Sequence, residues 1–296
     1  MNALRPPLFD FAAGLHARRR ALKLAGDRFL DRAAAEGLAD RLSAVTRKFG
    51  LALWVGAPAS EGEPSKKMVP PEIAPFAQDW VRADFQENEI LEVGTNDSGK
   101  FDLAVSLFSL QTINDLPGAL VQIRRALKPD GLFVGTLLGG GTLSELRDAF
   151  AVAESGTRGG VSPRVSPFAD VRDMGGLLQR AGFALPVTDV ERLTVRYSDF
   201  FALTRDLRAH GFTNVMSERS RTLLRRDTLA ALVSHYAAQH ADPDGKLRAR
   251  FETLHLTGWS PHDSQQKPLA PGSAKARLAE ALGTTETIMA ASKPDR

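Results

Sequence analysis

Residues 51–60 read LALWVGAPAS, a short apolar strand that leads into a single glycine, Gly56. This pattern is typical of the first strand and glycine-rich turn of a doubly wound α/β fold. Such a turn needs glycines because its backbone takes positive φ and approaches a ligand closely. Pro58 and Ser60 stand where further glycines are expected, and proline fixes φ and removes an amide donor. The stretch therefore predicts a ligand-binding architecture with a damaged ligand loop.

Strand-like and helix-like segments alternate along the chain around this stretch. Predicted strands cover residues 51–55, 80–84, 101–107, 132–138, 188–197 and 251–259. Segments with helical periodicity lie between them, and one of these begins at the capping residues Asn114 and Asp115. This alternation predicts an α/β fold with a doubly wound, mostly parallel sheet.

The same pattern divides the chain into three parts. Residues 1–48 are expected to form a helical lead-in, because their apolar residues recur at helical spacing. Residues 49–275 are expected to form the α/β domain, with a helical insertion at about 198–245. Residues 276–296 are expected to form a polar C-terminal tail.

Two local signals predict helix boundaries. Residues 128–131 read KPDG, which predicts a turn that stops the preceding helix. Residues 142–145 read TLSE, the pattern of a capping box, in which threonine and glutamate satisfy free amides of the first helical turn. A helix is therefore expected to begin with these two side chains bonded to its own backbone.

The composition narrows the class of protein. Of 296 residues, 43% are hydrophobic and 25% are charged, which is typical of a globular protein with a full core. The chain has no cysteine, so disulfides, thiolate metal sites and cysteine nucleophiles are excluded. The 38 basic and 35 acidic residues leave a net charge of +3, which does not require a nucleic-acid partner. No serine lies in a G-x-S-x-G pattern, so hydrolase chemistry has no support.

The sequence also bears on location. No apolar run reaches the roughly 18 residues that cross a bilayer, so no transmembrane segment is expected. The basic cluster at residues 18–20 is followed closely by acidic residues, in which transit peptides are poor. A cytoplasmic protein is therefore expected, and peripheral attachment to a membrane complex stays open.

Residues 101–106 (FDLAVS) and 120–131 (LVQIRRALKPDG) resemble the corresponding region of class I S-adenosylmethionine-dependent methyltransferases, whose fold is Rossmann-like. More narrowly, the chain resembles the family of the mitochondrial complex I assembly factor with arginine hydroxylase activity. That family is similar to the biotin-pathway malonyl-acyl-carrier-protein methyltransferases. The matching stretches are residues 114–117, 138–143, 162–168, 258–259, 262–265 and 272–274.

The resemblance implies S-adenosylmethionine as the cofactor and three residues that would bind it. Gly56 keeps the first glycine of the family's first motif, Asp84 falls where the ribose-binding acid belongs, and Ser106 lies next to the end of the third predicted strand. The motif is degenerate, because Trp54 replaces its acid. Asp84 also fits a solvated aspartate at the end of a strand. Cofactor binding therefore stays open, and no catalytic residue stands out.

The resemblance further implies a protein partner, a subunit of respiratory NADH dehydrogenase. Asn114, Asp115, Arg164 and His262 lie in the matching stretches and are the candidate contacts with a substrate or partner. The loops around Arg164 and His262 are rich in polar residues and turn formers, so packing alone explains them poorly. The alternative is that these loops brace the helical insertion.

Three other patterns are weaker. Residues 90–99 (ILEVGTNDSG) imitate a first motif but lead straight into the next strand, with no helix between. Residues 139–142 (GGGT) offer a phosphate-type turn without a lysine, and a tight turn explains them as well. His235 and His240 are five residues apart and are expected to diverge on a helix, so no metal site is expected.

Three functions from different classes therefore remain. The chain is a methyltransferase, an arginine hydroxylase, or a non-catalytic adaptor that retains the fold. The damaged loop weighs against the first, and the fold alone does not choose among them.

Overall fold

The computed structural model describes residues 7–24, 26–56, 69–85, 98–266 and 283. The chain divides into two compact units, Met1–Pro261 and His262–Arg296. The described helices, all in the first unit, are α1 Phe11–Lys23, α2 Phe29–Ser43, α3 Leu116–Ala126, α4 Ser144–Arg158, α5 Val171–Arg180, α6 Phe200–Ala209 and α7 Arg226–His240. The described strands are β1 Phe49–Val55, β2 Ala77–Ala83, β3 Phe101–Leu107, β4 Leu127–Leu138, β5 Ala184–Tyr197 and β6 Leu247–Trp259.

The strands form one sheet in the order β2-β1-β3-β4-β6-β5. The pairs β1–β2, β1–β3 and β3–β4 are parallel, whereas β6 runs antiparallel to both β4 and β5. The predicted doubly wound, mostly parallel sheet is therefore confirmed. Because parallel strands end at the same edge, the carboxyl ends of β1, β2 and β3 meet there. Residues 57–68, with Pro58 and Ser60, and most of 90–99 lie outside the described residues.

Helices cover both faces of the sheet. On one face, Leu38 and Leu42 of α2 share an apolar cluster with Trp54 of β1. On the other face, α3 and α5 pack against Leu53 and its neighbours. Alternate residues of β1 thus enter opposite layers, as the two-residue period of a strand requires. Burial on both faces explains why β1 reads as a continuous apolar run.

The segment predicted as a helical insertion contains α6 and α7. Leu232 and Tyr236 of α7 are fully buried and share a cluster with Phe251 of β6. The division into domains drawn from the sequence stays a prediction, and its polar tail lies outside the described residues apart from Gly283. None of the described helices combines the length and the apolar character needed to cross a membrane.

The expected capping box at residues 142–145 is wrong. The Thr142 hydroxyl donates to the Glu252 carbonyl and accepts from the Glu252 amide, at 3.1 and 3.0 Å. The Glu145 carboxylate accepts from the Arg250 amide at 3.2 Å. Strand β6 therefore takes both side chains, and Leu143 precedes α4 in a left-handed conformation with φ of 54°.

The turn predicted at residues 128–131 does not form a separate element between α3 and β4. Helix α3 ends at Ala126, and β4 begins at once with Leu127. The backbones of Asp130 and Gly131 pair with Ser260, through an amide–carbonyl bond in each direction, of 3.1 and 2.8 Å. This pairing extends the strand, and Asp130 takes the positive φ of 62° that a turn would have needed.

Asp102 of β3 links three parallel strands. Its carboxylate accepts from the Leu51 and Gly50 amides of β1, at 3.0 and 3.2 Å, and from the Lys128 ammonium of β4 at 2.9 Å. Burial acts to raise the pKa of Asp102, but these donors outweigh it, and the pKa lies below its usual value. The carboxylate therefore stabilises the fold in its charged form.

We expect Asp102→Asn to lower the free energy of unfolding by about 1.5–3 kcal/mol at neutral pH, because a charged acceptor is lost. A depressed pKa stabilises the fold above the unfolded value of about 3.9, and this stabilisation disappears as the pH falls through the folded pKa. The deficit should therefore shrink in acid. Urea unfolding at several pH values measures it, with exposed Asp79→Asn as the control. A deficit that does not change with pH would contradict this account.

Candidate functional site

A cavity of about 590 Å³ opens beside the ends of β1 and β3, at the carboxyl edge of the sheet. Helices α1 and α2 form one wall, and the segment that follows α6 forms another. The lining groups that matter for binding are Arg18, Asp31, Trp54, Gly56, Ser109 and His210. An open α/β sheet binds its ligands at this edge, so the cavity is the candidate functional site.

Gly56 lines the cavity directly after β1. Its φ of +81° lies in the left-handed region, and its amide donates to the Ala83 carbonyl at 2.8 Å. A Cβ at this position would lie 2.5 Å from the Cβ of Ser109 and 3.0 Å from the Phe85 ring. Both the backbone conformation and the space therefore require glycine. The Ser109 side chain, and not a ligand, fills the space beside Gly56.

Ser106 does not line the cavity. It is fully buried, and its hydroxyl lies 2.7 Å from that of Ser109, which donates to the Val55 carbonyl at 2.7 Å. Through these hydrogen bonds the two hydroxyls connect the end of β1 to the end of β3. Ser109, which the sequence did not single out, is the serine that reaches the cavity wall.

Asp84 directly follows β2 but does not line the cavity either. The Arg82 side chain forms an ion pair with both carboxylate oxygens, and its Nε donates to Oδ1 at 2.9 Å. The Asp84 carboxylate is therefore paired within the chain, with the arginine two residues before it.

The cofactor that the fold family implies, S-adenosylmethionine, needs a free carboxylate for its ribose hydroxyls. Of the three candidate residues, Gly56 alone lines the cavity, while Asp84 is paired with Arg82 and Ser106 is sealed by Ser109. The described residues therefore do not fit this group in the manner of the family.

Two residues that line the cavity carry buried donors that lack partners. The indole Nε1 of Trp54 and the Nε of Arg18 are buried and have no hydrogen-bond partner in the part of the chain that the structure describes. Trp54 is 3% exposed, and burial lowers the pKa of the Arg18 guanidinium. Both groups only donate, so a matching ligand offers acceptor oxygens.

His210 lies in the cavity wall between two carboxylates. Its Nδ1 lies 3.4 Å from Asp31 Oδ2 and its Nε2 lies 3.8 Å from Asp206 Oδ1, and its ring stacks on Phe212. Burial acts to raise the pKa of Asp31, but His210 and Arg28 outweigh it, and the pKa is lowered. Asp31 and His210 are distant in the chain, so no local motif could reveal their contact.

Asn114 and Asp115 serve the fold and do not line the cavity. The Asn114 side chain accepts from the Phe9 amide and donates to the Phe9 carbonyl, at 2.8 and 2.9 Å. Asp115 caps α3 by accepting from the Gly118 amide at 2.9 Å. Cap formation by Asp115 is confirmed, and contact of both residues with a partner stays a prediction.

Arg164 binds the fully buried carboxylate of Glu154. Its Nε and one terminal nitrogen donate to Glu154 Oε1, at 2.8 and 2.6 Å, and its side chain is 14% exposed. The Ser162 amide and hydroxyl donate to the same carboxylate. These bonds fasten the loop to α4, and the Asn214 side chain, within the predicted insertion, donates to the Pro163 carbonyl at 2.8 Å, which favours the bracing role over an exposed partner contact.

A second cavity, of about 180 Å³, lies beside Arg164 and shares four lining residues with the large cavity. The shared residues are Gln111, Thr112, Gly211 and Phe212. The two cavities are therefore neighbours, and a ligand that extends past the shared wall would contact both.

His262 begins the second unit. Its Nδ1 lies 2.7 Å from the Ser264 hydroxyl, and its amide donates to the Gln265 side chain at 3.2 Å. These bonds form a local turn, and a role in partner binding stays a prediction.

The expectation that His235 and His240 diverge is wrong. Both Nε2 atoms lie 3.0 Å from Oδ2 of Asp148 on α4. The spacing along α7 alone could not predict this shared contact, because Asp148 belongs to a second helix, α4.

The comparisons with known proteins agree with the fold. A family model described as a methyltransferase domain matches residues 9–186, so the chain belongs to the methyltransferase domain family. The resemblance to methyltransferases stated from the motifs is thereby confirmed.

Individual relatives identify a narrower family for this chain. The chain is 37% identical over 255 residues to "Arginine-hydroxylase NDUFAF5, mitochondrial" of Danio rerio, covering 82% of this chain and 78% of that protein. It is 40% identical over 253 residues to the Mus musculus protein of that name, covering 82% and 74%. A "Malonyl-[acyl-carrier protein] O-methyltransferase" of Laribacter hongkongensis is 37% identical over 175 residues, covering 59% and 56%. The chain thus belongs to the family of the first two.

The Glu154–Arg164 pair gives a test of the bracing role. We expect Glu154→Gln to cost about 3–5 kcal/mol, because a buried guanidinium loses its charged partner. Burial acts to raise the pKa of Glu154, but Ser162 and Arg164 outweigh it and lower that pKa. The stabilisation is therefore present above the unfolded value of about 4.3 and is lost as the pH falls through the folded pKa.

Thermal and urea unfolding of Glu154→Gln measure this cost. The matched control is Asp173→Asn, which neutralises an exposed carboxylate in the first turn of α5. A variant as stable as the wild type would show that the pair does not brace the loop, and would return Arg164 to the candidates for a partner contact.

Proposed function

We propose that this chain holds a protein partner at the carboxyl edge of its sheet and binds S-adenosylmethionine weakly or not at all. The partner expected from the family resemblance is a subunit of respiratory NADH dehydrogenase. We place this interaction in the cytoplasm, at the surface of the membrane complex. The observation that carries the proposal is that Asp84 and Ser106 are bonded within the protein, whereas Trp54 and Arg18 line an open cavity.

The chemistry of the cavity supports a peptide as its occupant. Trp54 Nε1 and Arg18 Nε are donors that lack partners among the described residues, and a peptide supplies carbonyl and carboxylate acceptors. The shared wall between the two cavities suits an extended ligand. The apolar rings of Phe108 and Phe212 pack edge to face beside this wall, and such rings contribute contact area without fixing a sequence.

Arginine hydroxylation is the second candidate function. It is favoured by the identity to relatives named arginine-hydroxylase, which extends over 74–78% of the length of the first two. Glu72 lines the large cavity and provides a carboxylate for a guanidinium, whereas Asp31, in the same wall, is already paired with Arg28 and lies beside His210. Mass spectrometry of the partner distinguishes the candidates, because hydroxylation adds one oxygen atom, methylation adds one CH₂ group, and an adaptor adds neither.

The first prediction concerns the cofactor. A ligand at 100 times its dissociation constant stabilises a protein by about 2.7 kcal/mol, which raises the melting temperature of a chain of this size by several degrees. We expect S-adenosylmethionine at sub-millimolar concentration to produce no such rise, because Asp84 and Ser106 are engaged. A rise of several degrees would overturn the proposal and restore a cofactor site, and loss of that rise in Asp84→Asn would assign the ribose contact to Asp84.

The second prediction concerns the partner. We expect Arg18→Ala to weaken capture of the NADH dehydrogenase subunit about tenfold, since a charge-assisted hydrogen bond contributes about 1.5–3 kcal/mol. Arg19→Ala is the matched control, because Arg19 is exposed on the same helix and lies outside the cavity. His262→Ala tests the second unit separately. Equal capture by Arg18→Ala and Arg19→Ala would remove the cavity from the proposal.

A further inference from the structure

Asp148, His235 and His240 form a cluster of metal-ligating groups that lines neither cavity. Asp148 lies on α4, and the two histidines lie in the last turns of α7. Each imidazole Nε2 is 3.0 Å from the same carboxylate oxygen, and one ligand atom of each residue lies within 4.8 Å of the others. The cluster is independent of the proposed function.

The three ligand atoms suit a particular class of cation. Two imidazole nitrogens and one carboxylate oxygen are typical ligands of Zn²⁺ and Fe²⁺, whereas Mg²⁺ and Ca²⁺ prefer oxygen alone. Ligands about 2.0–2.1 Å from a tetrahedral ion lie about 3.3 Å from each other. The observed nitrogen–oxygen spacings of 3.0 Å are close to this value, and all three ligand atoms lie within 4.8 Å of one another, so side-chain adjustment would bring them around an ion.

The surroundings leave the cluster both accessible and ordered. The Asp148 side chain is 50% exposed, and those of His235 and His240 are 24% and 21% exposed, so an ion can enter from solvent and keep bound water. The His240 ring packs edge to face on Tyr236, with centroids 5.4 Å apart. Tyr236 is fully buried and donates to the Arg248 carbonyl at 2.8 Å, which fixes the surface against which His240 is oriented.

We propose that Asp148, His235 and His240 bind one divalent transition-metal ion, Zn²⁺ or Fe²⁺, which links α7 of the insertion to α4. Three protein ligands leave a further coordination position for water. The ion would hold the C-terminal end of α7, because its ligand His240 is the last residue of that helix.

Co²⁺ is the probe, because its visible absorption reports the number and type of its ligands. Protein without a polyhistidine tag is titrated with Co²⁺, and Zn²⁺ or, under anaerobic conditions, Fe²⁺ is then used to displace it. We expect one equivalent to bind and Asp148→Asn, His235→Ala and His240→Ala each to weaken binding at least tenfold. Loss of a partner that only orients a ligand already costs about 10–100-fold.

His16→Ala is the matched control, since His16 is an exposed histidine on α1 outside the cluster. Circular dichroism and melting without metal establish which variants are folded, and Zn²⁺ is expected to raise the melting temperature of the wild type and of His16→Ala only. If the wild type takes up no more Co²⁺ than the His235→Ala/His240→Ala double variant, the site does not exist. If no cluster variant folds, the wild-type titration decides alone. Absorption that does not saturate and that keeps the spectrum of hydrated Co²⁺ overturns the proposal equally.

Discussion

The hydroxyl of Ser109, bonded to the Val55 carbonyl, determines what the carboxyl edge of the sheet can bind. With Ser106 it joins β1 and β3 at their last paired residues, Val55 and Ser106. Ser109 also occupies the space that Gly56 leaves open, so this glycine serves internal packing as well as the turn. The wall that a ligand meets at the end of these strands is therefore built largely from side chains.

Charge is distributed around this edge in a consistent way. The Asp84 carboxylate is bonded to Arg82 of the same segment, and the Glu154 carboxylate is bonded to Arg164, which holds the loop on α4. Breaking the buried Glu154 pair leaves an uncompensated charge, so these two residues contribute to stability. Arg18, which lies in the large cavity with no partner for its Nε among the described residues, carries the charge left for a ligand.

The sequence predicted the strands, their parallel arrangement and the cap at Asp115, because these follow from apolar patterns and local capping chemistry. It did not predict the fate of Thr142, Ser106 or His240. Thr142 bonds to β6, Ser106 bonds to a serine outside any motif, and His240 meets Asp148 on another helix. Each of these depends on a contact between distant segments, which a pattern along the chain does not contain.

The walls of the large cavity come from segments outside the sheet. Residues 8–10 pair with 215–217, and Asn114 holds Phe9 at the same junction, so the N-terminal helices and the segment after α6 are fixed to each other. The sheet supplies the floor that methyltransferase-fold proteins share, whereas Arg18, Asp31 and His210 come from these added segments. Because function depends on the groups at the site and not on the fold, changes in these segments can alter the ligand while the sheet is kept.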